Sequence, residues 1–364
     1  MMRRVAVSIL VLAACLTQAA SSFAADPVVE MGELDGVPYR IQVPVDWNGG
    51  LVMYAHGYRP RGGSWAPLPP VFAAVFLSRG FAVAESGYSR QGWALEEAVA
   101  QTEAVRLFFA EKHGAPDSTF VTGHSMGGII ALATIETYPG AYDGAMPLCG
   151  PLAPAYLFFE DVAFDMLVTF EALFGDYLPP ENRPVIETDG MSAQIVEQAL
   201  AADSTLAEQF ATHWTMRRGD LASTVSFYQL FYRELADRAG GNPVGNRGTI
   251  YCGFGDNRDL NRSAPRYDAD PAAFEYARRY YTPTGRISDP VLAVHTTYDP
   301  GVPPSLPSFY ETLTTLEGTG GLFVQLHVEA DGHCNIPPAL VGKAFDMLRG
   351  WAGGGVRPGP GLLE

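Results

Sequence analysis

Four short, largely apolar runs, at 51–55, 81–84, 119–122 and 144–148, alternate with segments whose apolar residues recur at helical spacing. A strand that is apolar at nearly every position must be buried on both faces. Its alternation with helices is the pattern of a parallel sheet covered on both sides, so the chain reads as α/β. Turn chemistry marks the joints. Asp35-Gly36 separates runs at 28–31 and 39–43 that form an opening hairpin, and the Gly- and Pro-rich stretch 59–70 is a loop. Helices are expected at 71–78, 94–112 and 126–138.

From 150 to 287 the rhythm stops: helix-like stretches follow one another without a convincing buried strand, over more residues than a connection needs. Strands return at 291–295 and 322–328, and a helix over 338–351 closes the domain. The organisation expected is therefore a leader at 1–24, a core at 25–149 and 288–354, an inserted helical cap at 150–287 and a flexible tail at 355–364. The first part of the cap carries Tyr156, Leu157, Phe158, Phe159, Phe164, Phe170 and Phe174. These either pack the cap's own core or face a pocket.

The leader has Arg3 and Arg4 before an apolar run at 5–16 that is too short to span a bilayer, and Ser22-Phe23-Ala24 has the shape of a cleavage site. That predicts export to the periplasm or the medium. A second reading takes Leu12-Ala13-Ala14-Cys15 as a lipobox and leaves the mature protein anchored through a lipid on Cys15. No later stretch reads as a membrane span. Across 364 residues, 40 Asp and Glu stand against 24 Lys and Arg, and the resulting net charge of −16 repels phosphate backbones, so nucleic acid is excluded as a partner. Cys149, Cys252 and Cys334 contain no C-x-x-C pair, which points away from a zinc site; export allows one disulfide among the three and leaves one thiol over, the pairing open. No cofactor or metal is implied.

Gly123-His124-Ser125-Met126-Gly127 sits between the strand at 119–122 and the helix at 126–138. A G-x-S-x-G pattern is weak alone, but the strand-turn-helix setting makes Ser125 a nucleophile held above the sheet's carboxyl edge. A serine hydroxyl needs a base. Of seven histidines, His333 lies in a loop just past the last strand, in Ala330-Asp331-Gly332-His333-Cys334, whereas His295 and His327 lie inside strands as packed or surface residues. The carboxylate that orients it is expected to be Asp299, which follows the strand at 291–295. Asp289 stands at the wrong end of that strand, and Asp331 is too close in sequence to reach the correct ring nitrogen.

The chain order Ser125, Asp299, His333 resembles that of the alpha/beta-hydrolase family, and the likeness extends to His56-Gly57 after the third strand and Asp299-Pro300-Gly301-Val302-Pro303. The resemblance implies an oxyanion hole made by the backbone N–H of Met126 and of Tyr58. Serine at the elbow separates the chain from epoxide hydrolases and haloalkane dehalogenases, which use aspartate there. The activity implied is hydrolysis of a small-molecule carboxylic ester, of fairly apolar or aromatic character, through an acyl-enzyme. The alternative is a peptidase or amidase similar to prolyl peptidases. Feruloyl esterases and tannases are looser likenesses, since they often place cysteine beside the serine where this chain has His124 and Met126.

Overall fold

The computed structural model describes residues 26–364, so the leader at 1–24 and Cys15 lie outside the described residues. The chain opens with β1 (Val28–Leu34) and β2 (Val37–Val43), paired antiparallel. Asp35 (φ 53°) and Gly36 (φ 77°) make the tight turn between them with the two positive φ angles that match the twist of a two-residue hairpin. Then follow β3 (Gly50–Ala55), α1 (Pro70–Leu77), β4 (Ala82–Ser86), α2 (Leu95–His113), β5 (Ser118–His124), α3 (Met126–Thr137) and β6 (Gly144–Leu148). After the cap come β7 (Val291–Tyr298), α11 (Pro307–Glu317), β8 (Phe323–Asp331), α12 (Pro338–Ala352) and β9 (Gly361–Leu362).

The strands form one nine-stranded sheet in the order β1-β2-β4-β3-β5-β6-β7-β8-β9. Only the first hairpin and the β2–β4 pair are antiparallel; from β4 onward every neighbour is parallel. Alternate residues of one strand feed two cores. Leu51, Met53 and Ala55 pack with α2 and α3 on one face, while Val52 and Tyr54 pack with α1 and α12 on the other. That two-sided burial is why β3 is apolar at consecutive positions. The result is the alpha/beta-hydrolase fold, with the carboxyl ends of β3, β5, β6, β7 and β8 along one edge.

Between β6 and β7 the chain contributes no strand to the sheet. It runs through α4 (Ala155–Phe158), which continues as a π-helical turn at Phe159–Phe164, then α5 (Asp165–Phe174), α6 (Ala193–Ala202), α7 (Ser204–His213), α8 (Leu221–Ala239), α9 (Asn257–Ser263) and α10 (Pro271–Tyr281). Phe158, Phe159, Phe164, Phe170 and Phe174 are all buried; Phe158 and Phe159 join the cap to the core through Trp93, while Phe170 and Phe174 pack with Phe210 inside the cap, and Tyr156 is the exposed exception. No helix among the described residues is long and apolar enough to cross a membrane.

The tail differs from expectation. Residues 355–364 are not a loose end: β9 pairs with β8 through Leu326 and His327, the Leu363 N–H donates to the His327 carbonyl at 2.7 Å, and the Leu363 side chain is buried. Its Gly and Pro content reads as flexibility, but β8 would otherwise end the sheet with a row of unpaired backbone groups, and the tail covers them.

Candidate functional site

The site is built where β5 turns into α3. Ser125 takes φ 59° and ψ −125°, a conformation that costs a non-glycine residue about 1–3 kcal/mol. It is held by its own N–H donating to the Leu148 carbonyl of β6 at 2.8 Å and by its carbonyl accepting from Gly128 at 2.8 Å. The turn works only with glycine on either side. A Cβ on Gly123 or Gly127 would collide with the Ala55 carbonyl oxygen of β3. Met126 opens α3, so its N–H belongs to the first helical turn, where no intrahelical acceptor exists.

Two neighbouring loops bring their side chains to this turn. Past β8, the His333 Nε2 lies 2.7 Å from Ser125 Oγ, and past β7 the Asp299 Oδ2 lies 2.7 Å from His333 Nδ1. A register shift in the β7–β8 pairing between Thr296 and Tyr298 redirects the chain just before Asp299. The other carboxylate oxygen, Oδ1, accepts the N–H groups of Gly301 and Val302 at 2.8 and 2.9 Å. Asp299 is buried, which pushes its carboxyl up, but the hydrogen bonds and charges of His295 and His333 outweigh burial and hold it well below the usual carboxylate range. An ionised carboxylate behind a histidine that faces a serine hydroxyl is an arrangement able to remove that hydroxyl's proton.

His295 is a participant the sequence reading placed only as a packed or surface histidine. It is fully buried, with Nε2 at 2.9 Å from the Val302 carbonyl and 3.4 Å from Asp299 Oδ2. Its spacing of four residues before Asp299 at a strand end was the available signal. The remaining histidines stand apart from the serine. The His124 ring turns away to Tyr54 (3.2 Å to its hydroxyl) and Phe72, and burial pushes it down to about 4. His56, stacked on Tyr88, is likewise pushed down to about 4 by burial. Both are neutral near pH 7. Asp331 pairs with Arg217 at the surface, at 2.8 Å.

On the opposite side of Ser125 runs the chain leaving β3. A Cβ on Gly57 would come within 3.4 Å of the Ser125 Cβ and 3.0 Å of the His124 carbonyl, so the backbone at Gly57 passes directly against the turn. The phenol of Tyr58 is engaged elsewhere, donating to a Glu234 carboxylate oxygen on α8. Burial, then the Glu234 contact, pushes this phenol above its usual range and keeps the donor protonated. The Tyr58 side chain is therefore committed to α8.

The disulfide joins Cys149 to Cys334, across 185 residues, and ties the residue after β6 to the residue after His333. Cys252 is free and exposed. Among the described residues, Cys149, His333 and Cys334 are the one group spaced like metal ligands, but both sulfurs are consumed in the bond and His333 is held by Ser125 and Asp299. Cys334→Ser is expected to lower stability by about 2–5 kcal/mol, because the cross-link closes a long loop. Guanidinium unfolding checks this; an unchanged midpoint contradicts it.

A family model described as tannase-like, of unknown function (DUF6351), matches residues 35–254. The chain belongs to that family. The match takes in β2 through most of the cap, including Tyr58, Ser125 and Met126, and stops short of Asp299 and His333. Among curated proteins, an o-phthalyl amidase of Xanthobacter agilis is 24% identical over 88% of this chain and 86% of its own. Among solved structures, an esterase from Aspergillus oryzae superposes with a TM-score of 0.51 at 13% identity, covering 91% of this chain and 80% of that one. A puromycin hydrolase gives 0.46 at 18% identity, and the 93% of this chain that aligns spans 41% of it. The family member described here has the alpha/beta-hydrolase fold.

Proposed function

We propose that this protein is a serine hydrolase that cleaves carboxylic esters of aromatic or fairly apolar acids through an acyl-enzyme. The observation that carries the reading is the hydrogen-bonded series Ser125 Oγ, His333 Nε2, His333 Nδ1, Asp299 Oδ2, with 2.7 Å at each contact, at the tip of a strained turn. Ser125 Oγ attacks the acyl carbon while His333 Nε2 takes its proton, and Asp299 stabilises the imidazolium. The carbonyl oxygen becomes an oxyanion between the Met126 and Tyr58 N–H groups; His333 then returns the proton to the leaving alcohol as the C–O bond breaks. Water repeats the sequence on the acyl-enzyme and releases the acid.

Support for the substrate class comes from the aromatic character of the residues near the proposed oxyanion donor: Phe227 of α8 is exposed and meets the Tyr58 ring edge-on at 5.6 Å. One observation favours amide cleavage as a second reading: the amidase relative is similar along nearly its whole length. Export belongs to the same proposal and is supported by the Cys149–Cys334 disulfide, a bond of the kind that persists in oxidising compartments. The test is kcat/KM for the mature protein on p-nitrophenyl esters of varied chain length, aryl esters and matched aryl and prolyl amides. Preference for aryl esters supports the first reading, and preference for amides replaces it with the second. No turnover of either, with Ser125 inert to a fluorophosphonate, overturns both.

A further inference from the structure

Glu234, buried on α8, brackets the loop after β3 at two points: one carboxylate oxygen accepts the Tyr58 hydroxyl and the other accepts the Arg61 N–H at 2.7 Å. Around that bracket, Phe227 and Phe231 of the same helix meet the Tyr58 ring edge-on, and Arg61 reaches Asp237 one turn further along at 3.0 Å. The loop's other strand is braced as well. The Arg59 carbonyl accepts from Gly92 at 2.7 Å, and Arg238 of α8 donates to the Gln91 carbonyl and to Glu97, each at 2.8 Å. From the middle of the same helix, the Tyr228 hydroxyl donates to the Gly301 carbonyl in the loop of Asp299 at 3.1 Å.

We infer that Glu234 is a positioning residue for acyl transfer: from the cap, it sets the orientation of the Tyr58 peptide and so of the oxyanion donor. The inference rests on the acyl-enzyme reading above. A donor stabilises the developing charge only when fixed about 2.7–3.1 Å from where the oxygen will be, and the Gly62-Gly63 pair leaves the loop little stiffness of its own. Two acceptors on one buried carboxylate constrain both the position and the rotation of that loop. A buried carboxylate is costly unless hydrogen-bonded, and this one is satisfied by the loop.

The experiment uses the mature protein and counts active sites by fluorophosphonate labelling of Ser125, so that rates are expressed per competent site. Glu234→Ala is expected to lower kcat about 100-fold with KM within about threefold, the loss typical of one oxyanion donor. Tyr58→Phe, which removes one end of the bracket and keeps the ring, is expected to lose about tenfold, and Glu234→Gln, which retains an acceptor for Arg61, is expected to recover most of the Glu234→Ala loss. An arylboronic acid, whose tetrahedral adduct on Ser125 places an oxygen in the hole, should weaken in parallel with kcat. The free aryl carboxylic acid, a ground-state ligand, should bind unchanged. A residue that only supports the fold lowers the fraction of labelled sites and moves neither ratio. Wild-type kcat and boronate affinity per labelled site in Glu234→Ala overturn the inference; if that variant does not fold, the same result in Tyr58→Phe does so. A wild-type protein that is not labelled at Ser125 instead brings down the acyl-enzyme reading.

Discussion

Ser125→Ala is expected to lower kcat on aryl esters by about 10⁵-fold or more, leaving a residual rate from oxyanion stabilisation and substrate binding alone. The size follows from the geometry: Oγ is the atom facing His333 Nε2 at 2.7 Å, and without it the histidine has no proton to take. The effect should be separable from stability. Alanine at φ 59° carries the same backbone strain as serine, and the hydrogen bonds that hold the turn, to Leu148 and from Gly128, are made by the backbone. A melting temperature within a few degrees of wild type, together with the loss of fluorophosphonate labelling, is the expected pair of observations. Wild-type turnover in this variant would remove Ser125 from the mechanism altogether.

Asp299→Asn is expected to cost about 10⁴-fold in kcat, almost without a change in shape. The reason lies in how the carboxylate is held. Oδ1 accepts two backbone N–H groups, from Gly301 and Val302, so in the variant the amide oxygen must occupy that position and the NH₂ group must point at His333 Nδ1. A donor there forces the histidine proton onto Nε2, the nitrogen facing Ser125, and that nitrogen can no longer accept from the hydroxyl. The comparison that checks it is Asp331→Asn. Asp331 is two residues from His333 in sequence but is exposed and paired with Arg217, so its loss should change kcat by about twofold at most. Equal losses in the two variants would contradict the assignment of Asp299.

These two expectations draw on residues legible before any coordinates, and for a physical reason. The strand-turn-helix setting of Ser125 is local chemistry: glycine at 123 and 127, apolar residues before and a helical run after. The β-α alternation that builds the sheet is a matter of burial on two faces, which periodicity records directly. Loops at the carboxyl ends of parallel strands share one edge, so Asp299 and His333 stood out by their position after β7 and β8. His295 did not, because a histidine inside a strand reads as packing unless its neighbour across the strand end is known.

What the sequence by itself determined was therefore the α/β-hydrolase frame, the helical insertion between β6 and β7, and which serine, aspartate and histidine lie along one sheet edge. Only the tertiary structure decided what meets across the chain: the pairing of Cys149 with Cys334, the docking of the 355–364 tail as an edge strand, the burial of the cap's phenylalanines, two of them against Trp93, and the reach of Glu234 across to Tyr58 and Arg61. The difference is one of range. Periodicity and turn chemistry are written in neighbours a few residues apart, whereas a contact between positions 58 and 234 depends on how the cap settles over the sheet, and neither segment's sequence encodes its partner.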